Sequence, residues 1–350
     1  MQCTDEIEKL YLRVVALHQD IDTLRQPLVD IKAVITEIKK CLDLPGTIAK
    51  DLKRLRTLAS ALNEVVQPLE WVPGQLGTTC KAVHKALSPL IEPKGRGVLD
   101  QMIKTTEEVE KAFCKIKQYI EKVEPLVDKS LKAINEVRDD VISLEQKLAA
   151  LVEHYKRIAP SAETLECVRT LNRYIDQLDS VVLDLKNRLE KAIEPLSAVL
   201  NQIMSVLDPV AAIAQQIAQA LKQIDIKPIN DLIKQVNQYK QKIQDFKRKV
   251  VSKIEAAVRV AFKKFGLDID AIDKLIGQLI DSALKPLRKV MDDLSAKMTR
   301  MLNQITTLLS NMLPLDFMRQ IITAIETFRD NVQRELDRIA GSACKSVLQA

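Results

Sequence analysis

The spacing of apolar residues near the amino terminus constrains the fold of this chain more than any other feature. Successive apolar residues stand three or four positions apart without a break, which is the heptad rhythm of a helix that buries one narrow seam. This first seam contains Ile7, Leu10, Val14, Leu17, Ile21, Leu24, Leu28, Ile31, Ile35, Ile38 and Leu42. Since a strand alternates with a period of two, the spacing predicts one continuous helix over residues 7–42.

Two further seams keep the same rhythm. The second contains Val109, Phe113, Ile116, Ile120, Val123, Val127, Ile134, Val137, Val141, Leu144, Leu148 and Leu151, with Ser130 as its polar member. The third contains Val168, Leu171, Ile175, Leu178, Val182, Leu185, Leu189, Leu196, Val199, Ile203 and Val206, with Ala192 in the gap. The three-four spacing of apolar residues is less regular in segments 229–265, 269–313 and 315–340. We therefore expect helices along most of the chain.

The composition leaves little material for a sheet. Of 350 residues, 47% are hydrophobic, but only 3% are aromatic and 8 are glycine. Folds built from β-strands rely on aromatic and β-branched residues and on glycine-rich turns. The core must therefore come from aliphatic residues on helices. We predict an all-α fold, an elongated antiparallel bundle of long, proline-kinked, coiled-coil-like helices.

Proline and glycine mark the expected helix ends. Turns are predicted near Pro45, in the loop 71–97, near Pro160, at Asp208-Pro209, at Gly266 and near Pro314. The seams continue in phase through four other prolines, where we expect a kink or an adjacent helix start: Pro27, Pro125, Pro195 and Pro286. A single elongated domain, 1–350, is predicted, with helices at about 4–43, 46–70, 80–92, 98–158, 162–207, 210–265, 268–313 and 315–347.

Short turns make successive helices antiparallel, so the predicted turns alternate between two ends of the bundle. Turns near 45, 160 and 266 define end A, and those near 73–97, 209 and 314 define end B. End B is poor in charge, since only Asp208 is charged within 195–221 and no residue is charged within 301–315. Such segments pack in a core, meet another subunit or contact lipid. The candidate contact surface comprises Val210, Ile213, Ile217, Leu221, Leu308, Leu309 and Met312.

This layout resembles the architecture of the α-helical pore-forming toxins, whose long helices carry an apolar hairpin at one end. The matching element is the predicted hairpin around Asp208-Pro209. The resemblance implies a soluble protein that exposes its charge-poor end when it meets a membrane.

End A is basic, in a chain with a formal charge of +6. The candidate contacts to an anionic surface are Lys247, Arg248, Lys249, Lys253, Lys263 and Lys264. A basic segment of this kind binds anionic lipid headgroups, contacts a protein partner or faces solvent. A nucleic-acid partner is not expected, because the aromatic residues of segment 234–265 are spaced as core residues rather than for base stacking.

The six cysteines, Cys3, Cys41, Cys80, Cys114, Cys167 and Cys344, are scattered and contain no C-x-x-C pair. Cys41, Cys167 and Cys344 are expected towards end A, the others towards end B, and a disulfide should join members of one group. We expect Cys3 to pair with Cys80 or Cys114 if the protein is exported, and six thiols if it is cytoplasmic. No signal peptide is recognisable, and no run of about 18 uncharged apolar residues predicts a membrane span.

Residues that carry catalytic chemistry form no recognisable pattern. His18, His84 and His154 are far apart in sequence, and no phosphate-binding glycine motif occurs. We therefore expect no enzymatic activity, cofactor, metal or small-molecule substrate. The sequence favours a structural, scaffolding or assembly protein that contacts a protein partner or itself. The alternatives are a soluble membrane-acting protein that uses 195–221 and 301–315, and a basic membrane-binding dimer.

Overall fold

Helices make up nearly all of the structure. The computed structural model describes residues 2–91, 97–156, 158–224, 226–249, 255–310, 312, 316–340 and 344–349. No strand occurs within these ranges, so the predicted all-α fold is confirmed. In chain order the helices are α1 (Gln2–Cys41), α2 (Leu44–Val66), α3 (Gln75–Ile91), α4 (Val98–Tyr155), α5 (Ala162–Gln223), α6 (Ile226–Lys249), α7 (Glu255–Lys264), α8 (Ile269–Leu279), α9 (Lys285–Ser310), α10 (Asp316–Ala340) and α11 (Cys344–Gln349).

The heptad seams are the buried faces of the long helices. In α1, every seam residue from Ile7 to Ile38 is buried, and Leu42 lies half-buried in the following turn. The α4 seam is buried from Val109 to Leu148, including Ser130. The α5 seam is buried from Val168 to Val206, apart from the half-buried Ala192. Removing these aliphatic side chains from water is the main stabilising contribution to each helix.

The helices continue through three of the four prolines at which the seams stay in phase. Pro27, Pro125 and Pro195 lie inside α1, α4 and α5, in agreement with a seam that continues through them. Before Pro286, residues Ile280–Leu284 form a π-helical segment between α8 and α9. Proline has no N–H to donate to the preceding turn, and a widened turn before it is compatible with that missing donor.

The predicted turn at Asp208-Pro209 is wrong, because α5 continues through it to Gln223. Val206, Val210, Ile213 and Ile217 extend the three-four rhythm and are all buried, and this burial outweighs the hydrogen bond that Pro209 removes. The predicted helix 210–265 is consequently divided among the end of α5, α6 and α7. The hairpin that carried the resemblance to pore-forming toxins does not form, and the turn predicted near Pro314 lies outside the described residues.

The packing divides the chain into two compact units. Unit 1 comprises Met1–Lys40, Ile116–Met204 and Asn311–Ala350, and unit 2 comprises Cys41–Lys115 and Ser205–Ser310. Both units contain part of α4 and part of α5, so the single domain 1–350 stays a prediction.

Unit 1 is built from α1, the part of α4 from Ile116 onward, the part of α5 up to Met204, α10 and α11. α1 and α4 are antiparallel, since His18 contacts Glu145, whereas Lys39, later in α1, contacts Glu124, earlier in α4. The hydroxyl of Tyr174 on α5 donates to the carbonyl of Val332 on α10 at 3.5 Å. Side chains of α1, α4, α5 and α10 together enclose the buried seams of this unit.

Unit 2 is built from shorter helices. Helix α3 packs against α2 and α8, and α6 packs against α2 and α8. Gly77 permits the close approach that starts α3, because a Cβ there would lie 1.8 Å from the carbonyl oxygen of Val72. Gly266 adopts a positive φ of 78° between α7 and α8, at the turn that the sequence predicts. The Asp268 side chain then caps α8 by accepting bonds from the N–H groups of Asp270 and Ala271.

Candidate functional site

Four of the seven residues of the candidate contact surface are buried in unit 2. Val210, Ile213 and Ile217 on α5 are no more than 1% exposed, and Leu308 on α9 is also buried. The other three members, Leu221, Leu309 and Met312, are half-buried. On α5, the three-four spacing of Val210, Ile213 and Ile217 places these residues on the packed side of the helix. Their role as a contact surface stays a prediction, and in this conformation a partner cannot reach the central residues.

Among the described residues, one helix has the length and composition of a membrane span, namely α5 over Ala162–Lys222. This helix contains the charge-poor stretch 195–221. A core helix of a soluble protein passes the same test, so the observation is weak evidence for insertion into a bilayer.

The basic candidates are only partly described. The backbone of residues 247–249 forms the end of α6, while their side chains and the whole of Lys253 lie outside the described part. Lys263 and Lys264 are exposed in the last turn of α7. There the positive charges favourably oppose the partial negative charge of the helix carboxyl end.

An aromatic cluster joins three segments of unit 2. Trp71 lies 6.0 Å from Phe246 and 6.2 Å from Phe262, measured between ring centroids. Phe265 completes the cluster at 6.1 Å from Phe246. Phe262 is fully buried, which agrees with the prediction that these phenylalanines serve the core. The contact of Trp71 with these rings could not be predicted, since no local spacing links Trp71 to α6 or α7.

Beside Trp71, unit 2 contains a group of polar side chains around Cys80. The Nδ1 atom of His84 contacts Glu70 Oε1, and Cys80 is fully buried. Burial, with smaller contributions from the charges of Asp273 and Glu70, raises the pKa of the Cys80 thiol to about 12. The thiol is thus neutral at physiological pH and unsuited to nucleophilic chemistry. Within the described ranges, no group of three or more His, Cys, Asp or Glu side chains is arranged to hold a metal ion.

The disulfide found in the structure differs from the expected one. Cys167 on α5 is bonded to Cys344 on α11, while Cys80 and Cys114 carry free thiols. The expected pairing of Cys3 with Cys80 or Cys114 is therefore wrong, because both proposed partners are unbonded. The observed pair does join two members of the group assigned to end A. A hydrogen bond of 2.7 Å from Ser346 to Glu163 also holds α11 against the start of α5.

A ladder of polar contacts, the α1–α4 ladder, fixes the register of α1 in unit 1. Four residues of α1 that stand seven positions apart each contact α4: His18 with Glu145, Arg25 with Asn135, Lys32 with Asp128, and Lys39 with Glu124. On another side of α1, Arg13 donates to Asp176 at 2.6 Å and to Asp179 at 2.9 Å on α5. Individual exposed pairs contribute little, but a regular series specifies one alignment of the helices.

An open cavity of about 760 Å³ lies between α5 and α10 in unit 1. Its wall on α5 includes Ser180 and Asp184, and its wall on α10 includes Thr327 and Phe328. Leu183, which precedes Asp184 in the sequence, is a large apolar side chain that is 60% exposed. No sequence pattern indicates this region, because its walls come from two helices that are far apart in the chain.

Comparison with known proteins finds no match to this chain among protein-family models, curated proteins or solved structures.

Proposed function

We propose that this chain is a non-enzymatic structural or scaffolding protein that acts by assembly through the surfaces of its helices. The α1–α4 ladder is the observation that supports this function. Long helices packed by apolar seams can slide by one heptad at little loss of burial. The ladder opposes such a slip, because its partners on α4 are ten, seven and four residues apart and a shift of seven residues cannot re-form the same contacts. A frame with a fixed register presents its outer side chains at fixed positions, which is what a scaffold requires.

The cysteine pairing supports action in an oxidising compartment. Disulfides persist mainly in extracellular, periplasmic and related environments and are rare in the reducing cytosol. The bond between Cys167 and Cys344 therefore favours the exported form of the protein. Peptide mapping without reductant, on protein from its natural source, should find this bond, and a free Cys344 thiol there would contradict the assignment.

The assembly function is tested by measuring mass in solution. Sedimentation equilibrium over a wide range of concentration, with and without detergent, should give masses above the 39.5 kDa of one chain in both conditions. The same preparation should not co-sediment with liposomes. A chain that remains at 39.5 kDa at every concentration would contradict self-assembly, and release of dye from liposomes would favour the second candidate.

The second candidate is a soluble membrane-acting protein, and the apolar length of α5 is the observation that favours it. Because Val210, Ile213 and Ile217 are buried, contact with lipid requires unit 2 to open. The informative variant is Ile213→Glu, with Gln215→Glu as its control on the exposed side of the same helix. If only Ile213→Glu unfolds the protein, the charge-poor stretch 195–221 is part of the folded core. If it stays folded but loses binding to liposomes, the stretch is the membrane contact.

The basic segment is tested separately on the same liposomes. Neutralising Lys247, Arg248 and Lys249 together should weaken only binding to anionic vesicles. Binding through these residues should also fade as ionic strength rises, because salt screens the attraction between the charges. Binding that is insensitive to salt would exclude a role for this segment.

A further inference from the structure

A second stripe of residues follows the three-four rhythm along α5, on its exposed side. We call it the α5 stripe, and every member is exposed: Arg169, Arg173, Asp176, Ser180, Leu183, Asn187, Glu190 and Glu194. All of it lies within unit 1. At 1.5 Å per residue it extends for about 37 Å, and a heptad spacing of this length is suited to packing against another helix.

The charges along the α5 stripe are ordered in a way that makes it complementary to itself. Its first two residues are basic and its last two are acidic. If two copies pair in antiparallel orientation, Arg169 faces Glu194 of the second copy and Arg173 faces Glu190. Two-fold symmetry forms each of these pairs twice. A parallel pairing would instead bring like charges together.

The apolar member of the stripe fits the same register. When Arg173 faces Glu190 of the second copy, Leu183 lies opposite Ser180, close to the symmetry axis. Ser180 borders the 760 Å³ cavity between α5 and α10. The exposed Leu183 of one copy therefore packs against the small side chain of Ser180 in the other.

The contacts within the chain leave the stripe available. Arg169 and Arg173 lie 3.6 and 3.7 Å from Glu166, distances longer than those of strong ion pairs. In the part of the chain that the structure describes, Glu190 and Glu194 form no ion pair. Asp176 is held by Arg13 at 2.6 Å and keeps two-thirds of its side chain exposed.

We propose that two copies of this chain associate through their α5 stripes as an antiparallel, two-fold symmetric helix pair. The proposal rests on the assembly function above and deepens it, because it names a second copy as the partner and α5 as the surface.

Reversing charges tests both the partner and the register. Arg173→Glu places two acidic side chains against each other at both symmetric positions, and Glu190→Arg does the same with two basic ones. Each single variant should raise the dissociation constant of the dimer by about ten-fold or more, measured by sedimentation. Leu183→Glu should weaken the dimer at least as much, because it places a charge at the symmetry axis.

Restoring complementarity should restore association. The double variant Arg173→Glu, Glu190→Arg and an equimolar mixture of the two single variants should both dimerise nearly as well as the original chain. Residues 173 and 190 are about 25 Å apart along α5, so the two changes cannot compensate each other within one chain. Lys132→Glu, at an 80% exposed position on α4, is the control and should change nothing.

The outcomes separate this inference from the assembly function. If the original chain associates but the stripe variants behave like Lys132→Glu, the α5 stripe is not the interface and the assembly function stands. If the single variants weaken the dimer and neither combination recovers it, the antiparallel register is wrong. If the original chain is monomeric at every concentration, both the inference and self-assembly fail.

Discussion

Arg138 Nε on α4 donates a hydrogen bond of 2.5 Å to Asp22 Oδ1 on α1, in addition to the four contacts of the α1–α4 ladder. This hydrogen bond, together with the charges of Arg138, His18 and Arg25, holds the pKa of the Asp22 carboxyl below its usual range against the opposing effect of burial. Because the pKa is lower in the folded chain, the pair stabilises the fold above about pH 4, where the unfolded chain also ionises. The contribution of the Asp22–Arg138 pair to the free energy of unfolding is lost as pH falls through the folded-state pKa of Asp22.

The substitution Asp22→Asn should therefore lower the free energy of unfolding at neutral pH and have less effect in acid. We expect a loss of about 1 kcal/mol or less at pH 7, because Asp22 is 44% exposed and water screens the pair. Urea denaturation of both proteins at several pH values measures the difference. Asp20→Asn, at an exposed position on the same helix, is the control. A difference that grows on acidification would show that the pair does not act as described.

Gly77 should tolerate no side chain. In Gly77→Ala the new Cβ would lie 1.8 Å from the carbonyl oxygen of Val72 and 3.1 Å from that of Glu70, and neither backbone atom can rotate away. We expect a loss of more than about 2 kcal/mol in the free energy of unfolding. The matched control is Gly277→Ala in α8, where the Cβ meets nothing within 4 Å. There alanine should stabilise the helix by about 0.5–1 kcal/mol. Equal effects in thermal denaturation would contradict this account.

The free cysteines should differ in reactivity. Cys114 is exposed, whereas Cys80 is fully buried and its pKa is raised to about 12. Brief treatment with iodoacetamide at neutral pH should label Cys114 and leave Cys80 unmodified, because only an accessible thiolate reacts. Mass spectrometry of the peptides measures both sites, and addition of denaturant should then expose Cys80. Rapid labelling of Cys80 in the folded protein would place it at the surface.

The disulfide should contribute substantially to stability. It joins residues 177 positions apart, and the chain-entropy model gives up to about 5 kcal/mol for closing so long a loop. Cys344→Ser should lower the free energy of unfolding by several kcal/mol, and reductant should then have no further effect. Cys41→Ser, which removes a free thiol, is the control. A variant that is as stable as the original chain would mean that the bond adds nothing to the fold.

The apolar spacing predicted the buried faces of α1, α4 and α5 and, together with the low content of aromatic residues and glycine, the fold class. It was less successful at helix ends, as Pro209 illustrates. Proline was interpreted there as a turn, although Val206, Val210 and Ile213 keep their phase across it just as the seam does at Pro195. Phase continuity is thus the better guide in this chain, because burial of several aliphatic side chains exceeds the cost of one missing hydrogen bond.

The candidate site was less predictable, because it depends on which helices become neighbours. The partners of His18, Arg25, Lys32 and Lys39 on α4 are ordinary charged and polar residues, and only the antiparallel packing selects them. Their seven-residue spacing was visible in the sequence and would have indicated one common face. The pairing of Cys167 with Cys344 could not be deduced, since spacing does not determine which cysteines bond.

The bond between Cys167 and Cys344 also makes a closed ring of the backbone from α5 to α11. A protease that cuts this ring once produces no separate fragment, since both pieces stay joined through the sulfur atoms. The nicked molecule keeps its full mass until a reductant opens the bond. The ring contains more than half of the chain. In surroundings that contain proteases, a first cut anywhere within the ring would therefore leave the protein a single covalent molecule.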